Sequence, residues 1–140
     1  MKWITRERPK IDCFACPWLI SRFIDKAPEF RYVPAGRVMA VAAEAGAIHY
    51  DVPDVELGIV GELCSFDAFM KKYRLTDPAR RKLAAIARAA DTGRPDRAPE
   101  ATGLLAVWRG LSRNFPDEHE MLGHGMVVYD APYAWCCSGP

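Results

Sequence analysis

A chain of 140 residues, half of them apolar, can bury a core of its own and is read as one domain spanning residues 1–140. Its formal net charge of +1 leaves no cationic surplus, so no nucleic-acid partner is expected for this domain alone, and no apolar run approaches membrane-spanning length. The opening Met1-Lys2-Trp3-Ile4-Thr5-Arg6-Glu7-Arg8 turns charged too early for a signal peptide. The cysteines Cys13, Cys16, Cys64, Cys136 and Cys137 lack the spacing of a disulfide framework. The expectation is a soluble, cytoplasmic protein with reduced thiols.

Taken in order, Trp3-Ile4-Thr5 predicts a short strand. In the next segment Leu19, Ile20, Phe23 and Ile24 recur at i, i+1, i+4 and i+5, one apolar face of a helix, and Pro17 suits the first turn of that helix. Cys13 and Cys16 would then stand just before or at the helix N-terminus, where unpaired N–H groups and the dipole favour a thiolate or a bound anion. Phe30-Arg31-Tyr32-Val33 predicts a second strand. Val38, Val41 and Ala45 predict a helix capped by Gly46, and Ile48-His49-Tyr50-Asp51 a third strand. That alternation allows a small parallel or mixed sheet covered by helices. Asp51 to Gly61 reads as a loop leading to Cys64.

Beyond Cys64 the pattern is helical. Ser65 can cap a helix carrying Phe66, Phe69, Met70 and Tyr73; Thr76 or Asp77 caps the next, with Pro78 in its first turn and Leu83, Ile86, Ala87 and Ala90 inward. Pro99 opens a helix with Leu104, Leu105, Trp108 and Leu111. The last, with Met121, Leu122, Val128 and Tyr129, is weakened in its middle by Gly123 and Gly125. The fold class expected is α+β and mainly α-helical: a small N-terminal sheet of short strands followed by a helical, bundle-like C-terminal part.

Several groups could carry chemistry. Cys13-Phe14-Ala15-Cys16-Pro17 has the C-x-x-C form that lowers a thiol pKa at a helix start, although a small buried hydrophobe is the commoner fate of a cysteine such as Cys16. His49, Glu62 and Cys64, with His119 further on, offer the imidazole, carboxylate and thiolate donors that hold a transition metal ion, without any tight ligand spacing. Solvated loop residues and helix-capping acids are the plain alternatives. Arg6 and Arg22 could bind a tetrahedral oxyanion through paired hydrogen bonds, and ordinary ion pairing of Arg22 with Asp25 or Asp12 competes with that use.

Taken together, Trp3-Ile4-Thr5-Arg6 with Arg8-Pro9, Ala15-Cys16-Pro17-Trp18-Leu19-Ile20 with Arg22-Phe23-Ile24-Asp25, then Cys64-Ser65-Phe66, Leu75-Thr76-Asp77-Pro78, Ala90-Asp91 and Tyr129-Asp130-Ala131 with Tyr133-Ala134-Trp135 resemble the chromate resistance protein family, most closely its ChrB C-terminal domain. The resemblance runs from residue 3 to about residue 135. It implies a bacterial domain associated with chromate resistance, often encoded near a chromate efflux transporter. Longer relatives have an added N-terminal region with a proposed regulatory role, which is not expected of this chain. Relatives usually carry arginine where Cys13 stands, and many have histidine near Ile59 and Val60, so neither the dithiol nor a loop metal follows from the family. Pro132, inside the final block, should bend or end the last helix.

The leading expectation is a chromate-resistance domain that binds an oxyanion such as chromate, or a metal, through Arg6, Arg22, Cys16 and Cys64, as a sensor or accessory protein. One alternative is a thiol- or metal-dependent oxidoreductase using Cys16 or Cys64. Another is an assembly module, a homo-oligomer with Tyr129, Tyr133 and Trp135 as contact surface.

Overall fold

The computed structural model describes residues 1–7, 11–50, 65–91 and 93–138. Strand β1 (Lys2–Arg6) lies between β2 (Glu29–Val33) and β3 (Ile48–His49), parallel to both. Parallel strands need crossovers, and the helical segments between these strands supply them. The register sets Trp3 beside Phe30 and Ile48, and Thr5 beside Tyr32. Because side chains alternate across a strand, these residues share one face, and Ile4 points to the other. Trp3, Ile4 and Thr5 are all fully buried, as a central strand covered on both sides requires.

On the Ile4 face lies the short helix α2 (Val38–Ala45), held by Val38 and Ala42. Gly46 ends it in the left-handed conformation at φ 63°, its N–H bonded to the Ala42 carbonyl. The Trp3 face is covered by the helical part: α1 (Ile11–Leu19), α3 (Ser65–Lys72), α4 (Pro78–Asp91), α5 (Glu100–Asn114) and α6 (Glu118–Ser138). Their inward stripes follow the expected spacing, with Phe66, Phe69, Leu83, Ile86, Ala87 and Ala90 buried. Asp77 caps α4, its Oδ2 accepting the Arg80 N–H at 3.3 Å. The expected architecture, mainly helical α+β with a small N-terminal sheet, is the one observed. None of the described helices is long and apolar enough to cross a membrane.

Two proline expectations are corrected. The first helix begins at Ile11 rather than near Pro17, so Pro17 lies inside it. Without an N–H, Pro17 cannot bond the Cys13 carbonyl. Just beyond it the ladder widens into a π turn over Ile20–Ile24, closed by the Asp25 N–H on the Ile20 carbonyl at 2.8 Å. Cys16 therefore sits more than a turn inside the helix, away from its N-terminal dipole. Nor does Pro132 end the last helix, which runs on to Ser138 through Gly123, Gly125 and Pro132. Its inward residues Met121, Leu122, Gly125, Tyr129 and Cys136 are buried, and that packing outweighs the lost ladder bond and the low glycine propensity.

One side chain ties the two ends of the chain together. Trp18 on α1 is 1% exposed and packs against Phe66, Tyr129, Tyr133 and Phe23. Its Nε1 donates to Asp130 Oδ1 at 2.8 Å, while Arg22 grips the same carboxylate through Nε and Nη2 at 2.9 and 2.7 Å.

Candidate functional site at the carboxyl edge of the sheet

The chain leaves β1, crosses to β2 on one side, then returns through α2 to β3 on the other, giving the strand order β2-β1-β3. The connections leaving the carboxyl ends of neighbouring β1 and β2 thus diverge, the first to α1 on the Trp3 face and the second to α2 on the Ile4 face. That divergence is where open parallel sheets present backbone groups and side chains to ligands. Arg6 ends β1 there, and Tyr50 follows β3 directly.

Tyr50 is fixed by its backbone. Its N–H donates to the Ile4 carbonyl at 3.1 Å, and its carbonyl accepts the buried Thr5 hydroxyl at 3.0 Å. Alternation puts its side chain on the Trp3 face, where its ring meets Phe69 edge-on and is fully buried. Tyr32, beside Thr5 in the register, comes from β2 onto the same face. The hydroxyls of Tyr32 and Tyr50 are both buried and lie near each other, yet neither makes a hydrogen bond of good geometry with a described residue. The Cys16 thiol, also fully buried, is close enough to act on Tyr50 electrostatically.

Burial, followed by Tyr32 and Cys16, pushes the Tyr50 phenol well above its ordinary pKa. Burial also pushes Tyr32 up, with the Glu118 carboxylate adding to it and the Tyr50 hydroxyl acting the other way. Both phenols therefore stay protonated at neutral pH and remain donors. A buried polar group left unpaired costs about 1–3 kcal/mol. Two such donors facing one region beside a thiol form a set that an acceptor-rich ligand would satisfy.

The expected site residues are distributed unevenly around this edge. Cys16 is part of it. His119, in the first turn of α6, stands over Tyr32 with ring centroids 5.4 Å apart, its N–H bonded to Asp117 Oδ1 at 3.1 Å. Arg6 is at the same edge, on the Ile4 side of its strand. His49, paired with Ile4, also falls on that side, so the sheet separates it from His119. Arg22 lies at the opposite end of α1 from Arg6 and binds Asp130 rather than Asp25, while the expected alternative Asp12 has a side chain outside the described residues. Asp25 instead takes the Trp3 Nε1 hydrogen bond and the N-terminal ammonium, both at 3.0 Å, which together hold its pKa down. Glu62 and Cys64 lie outside the described residues, as does the whole loop expected from Asp51 to Gly61. Among the described residues no three His, Cys, Asp or Glu side chains gather into a metal-holding group.

The blocks that carry the resemblance are thus joined in space, with Trp18 and Arg22 of the early block clasping Asp130 of the late one. The profile of the ChrB C-terminal domain matches residues 3–136. The chain belongs to the ChrB C-terminal domain family. It is 28% identical over 133 residues to Protein ChrB of Cupriavidus metallidurans, covering 94% of this chain and 40% of that relative, so it spans less than half of the relative's length. No solved structure matches it. The ChrB-type domain is the chromate-resistance family expected from the sequence blocks, and its matched positions now divide by use. Trp18, Arg22 and Asp130 build the scaffold, whereas Cys16 reaches the carboxyl edge.

Sequence reading missed Tyr32 and Tyr50 as site residues. Period-two alternation gives the face of each tyrosine within its own strand. Their meeting depends on the register across β1, which the sequence does not display.

Proposed function

We propose that this chromate-resistance domain binds a tetrahedral oxyanion at the carboxyl edge of its sheet, as a sensor or accessory protein. The observation that carries the reading is the pair of buried hydroxyls of Tyr50 and Tyr32, near each other and neither in a hydrogen bond of good geometry with a described residue. An oxyanion offers several acceptor oxygens and no proton, and two neutral phenols are donors that need such oxygens. Arg6, the last residue of β1, adds positive charge for a dianion from the Ile4 side of the same edge. The Cys16 thiol adds a weak donor. An anion fits this donor set better than a cation does, because a metal would meet two protonated phenols that burial holds far from ionisation.

Isothermal titration of chromate and of sulfate into the wild type, Tyr50→Phe and Tyr32→Phe tests this. The reading expects a saturable site in the wild type whose affinity falls about tenfold or more in Tyr50→Phe, the loss of one hydrogen bond to a charged group. Arg6→Ala should weaken binding as well, and unchanged affinity in that variant removes Arg6 from the site. Equal binding by wild type and both phenylalanine variants would overturn the proposal.

A further inference from the structure

The corner where α3 turns into α4 is charged quite differently from the remainder of the molecule. Residues 71–82 hold Lys71, Lys72, Arg74, Arg80, Arg81 and Lys82 against the single acid Asp77, a local charge of +5 in a chain of net +1, so the rest carries −4. Asp77 is already engaged, capping α4 and pairing with the Arg80 guanidinium. Lys71, Arg74 and Arg81 are exposed and form no ion pair among the described residues.

The placement works against local stability. Arg80, Arg81 and Lys82 occupy the third to fifth positions of α4, where the helix dipole favours anions, and the capping Asp77 is the one acid of residues 71–82 to offset them. Arg74 ends α3 at φ 54°, the left-handed conformation that glycine ordinarily fills, with the Leu75 N–H reaching back to the Met70 carbonyl at 2.9 Å. A sequence that breaks two local rules at one corner, each time with a cation, points to use of the charge itself. Beside the corner, Trp135 of α6 is 42% exposed, with the Lys82 ammonium 4.2 Å from its ring centroid.

We infer that the α3–α4 corner, together with Trp135, is a docking surface for an acidic protein segment that carries an apolar side chain. The cations meet its carboxylates, and the indole face offers the apolar contact. Charge complementarity selects this occupant over a nucleic acid. A duplex long enough to be attracted by the corner also meets a body of net −4 and is repelled, whereas a short acidic segment sees the corner alone.

Fluorescence anisotropy at low ionic strength tests it, using a short labelled peptide of glutamates around one leucine and, separately, a labelled DNA duplex. The peptide is expected to bind the wild type, to be released by salt, and to bind about tenfold more weakly to Lys71→Glu/Arg81→Glu and to Trp135→Ala, while Lys26→Glu/Arg37→Glu binds as wild type. The milder Lys71→Gln/Arg81→Gln should show an intermediate loss, with circular dichroism confirming that each variant is folded. The inference is overturned if the folded wild type ignores the peptide, if the corner variants bind it undiminished, or if the duplex binds more tightly than the peptide.

Discussion

Asp130 serves two donors of different burial, so its replacements should separate their contributions. Arg22 and Asp130 are each 44% exposed, and an ion pair in that setting contributes up to about 1 kcal/mol. Trp18 is buried, and depriving its Nε1 of an acceptor costs about 1–3 kcal/mol. Urea unfolding should therefore find Asp130→Ala clearly less stable than Arg22→Ala. The pH dependence has a definite sign. The Arg22 hydrogen bond, with a smaller contribution from Trp18, holds the Asp130 pKa below its ordinary value, and the same bond raises that of Arg22. The native carboxylate thus binds a proton less readily than the unfolded one. Its stabilisation is complete above the unfolded pKa of about 4 and is lost as pH falls through the lower folded value. Wild type should lose stability below about pH 4 more steeply than Asp130→Asn, measured by thermal unfolding across acidic buffers.

At the scale of elements, helix boundaries obey local chemistry wherever a cap is available and depart from it where packing intervenes. Gly46 ends α2 and Asp77 begins α4 as their residue types predict. Pro17 and Pro132 instead lie inside helices, because Trp18, Leu19, Tyr129 and Cys136 around them are buried and cannot leave their neighbours. Propensity is worth tenths of a kcal/mol to a few, and the burial of one large side chain matches it. Arg74 is the converse case, an exposed residue in a glycine conformation. Arg74→Gly should raise stability by about 1 kcal/mol in denaturant unfolding, while Gly46→Ala should lower it by a similar amount, since the first removes a Cβ from a left-handed position and the second adds one.

At the scale of the whole molecule, what could be read from the sequence was what local pattern encodes. The three strands, the inward stripes such as Phe66-Phe69-Met70 and the helical second half all follow from spacing. The Trp18–Asp130 clasp spans 112 residues, and no local signal announces such a pair. The site was less legible still. Cys16 was visible by residue type, but its neighbours Tyr32 and Tyr50 are brought together only by the order β2-β1-β3. Arg6 and Arg22 looked like partners in sequence, whereas α1 carries Arg22 to the far end of the sheet and Asp130. Charge was misleading when summed, because a total of +1 conceals the +5 of residues 71–82.

The central claim is that the buried phenols at the carboxyl edge are kept for a ligand. A donor kept for a ligand is a burden to the empty protein and an asset to the loaded one. The direct measurement is the melting temperature of wild type and Tyr50→Phe, each with and without saturating sulfate or chromate. The account predicts that Tyr50→Phe melts at or above the wild-type temperature without anion, and that anion raises the melting temperature of the wild type but not of the variant. A variant that melts lower without anion and is stabilised by anion as much as wild type would contradict it.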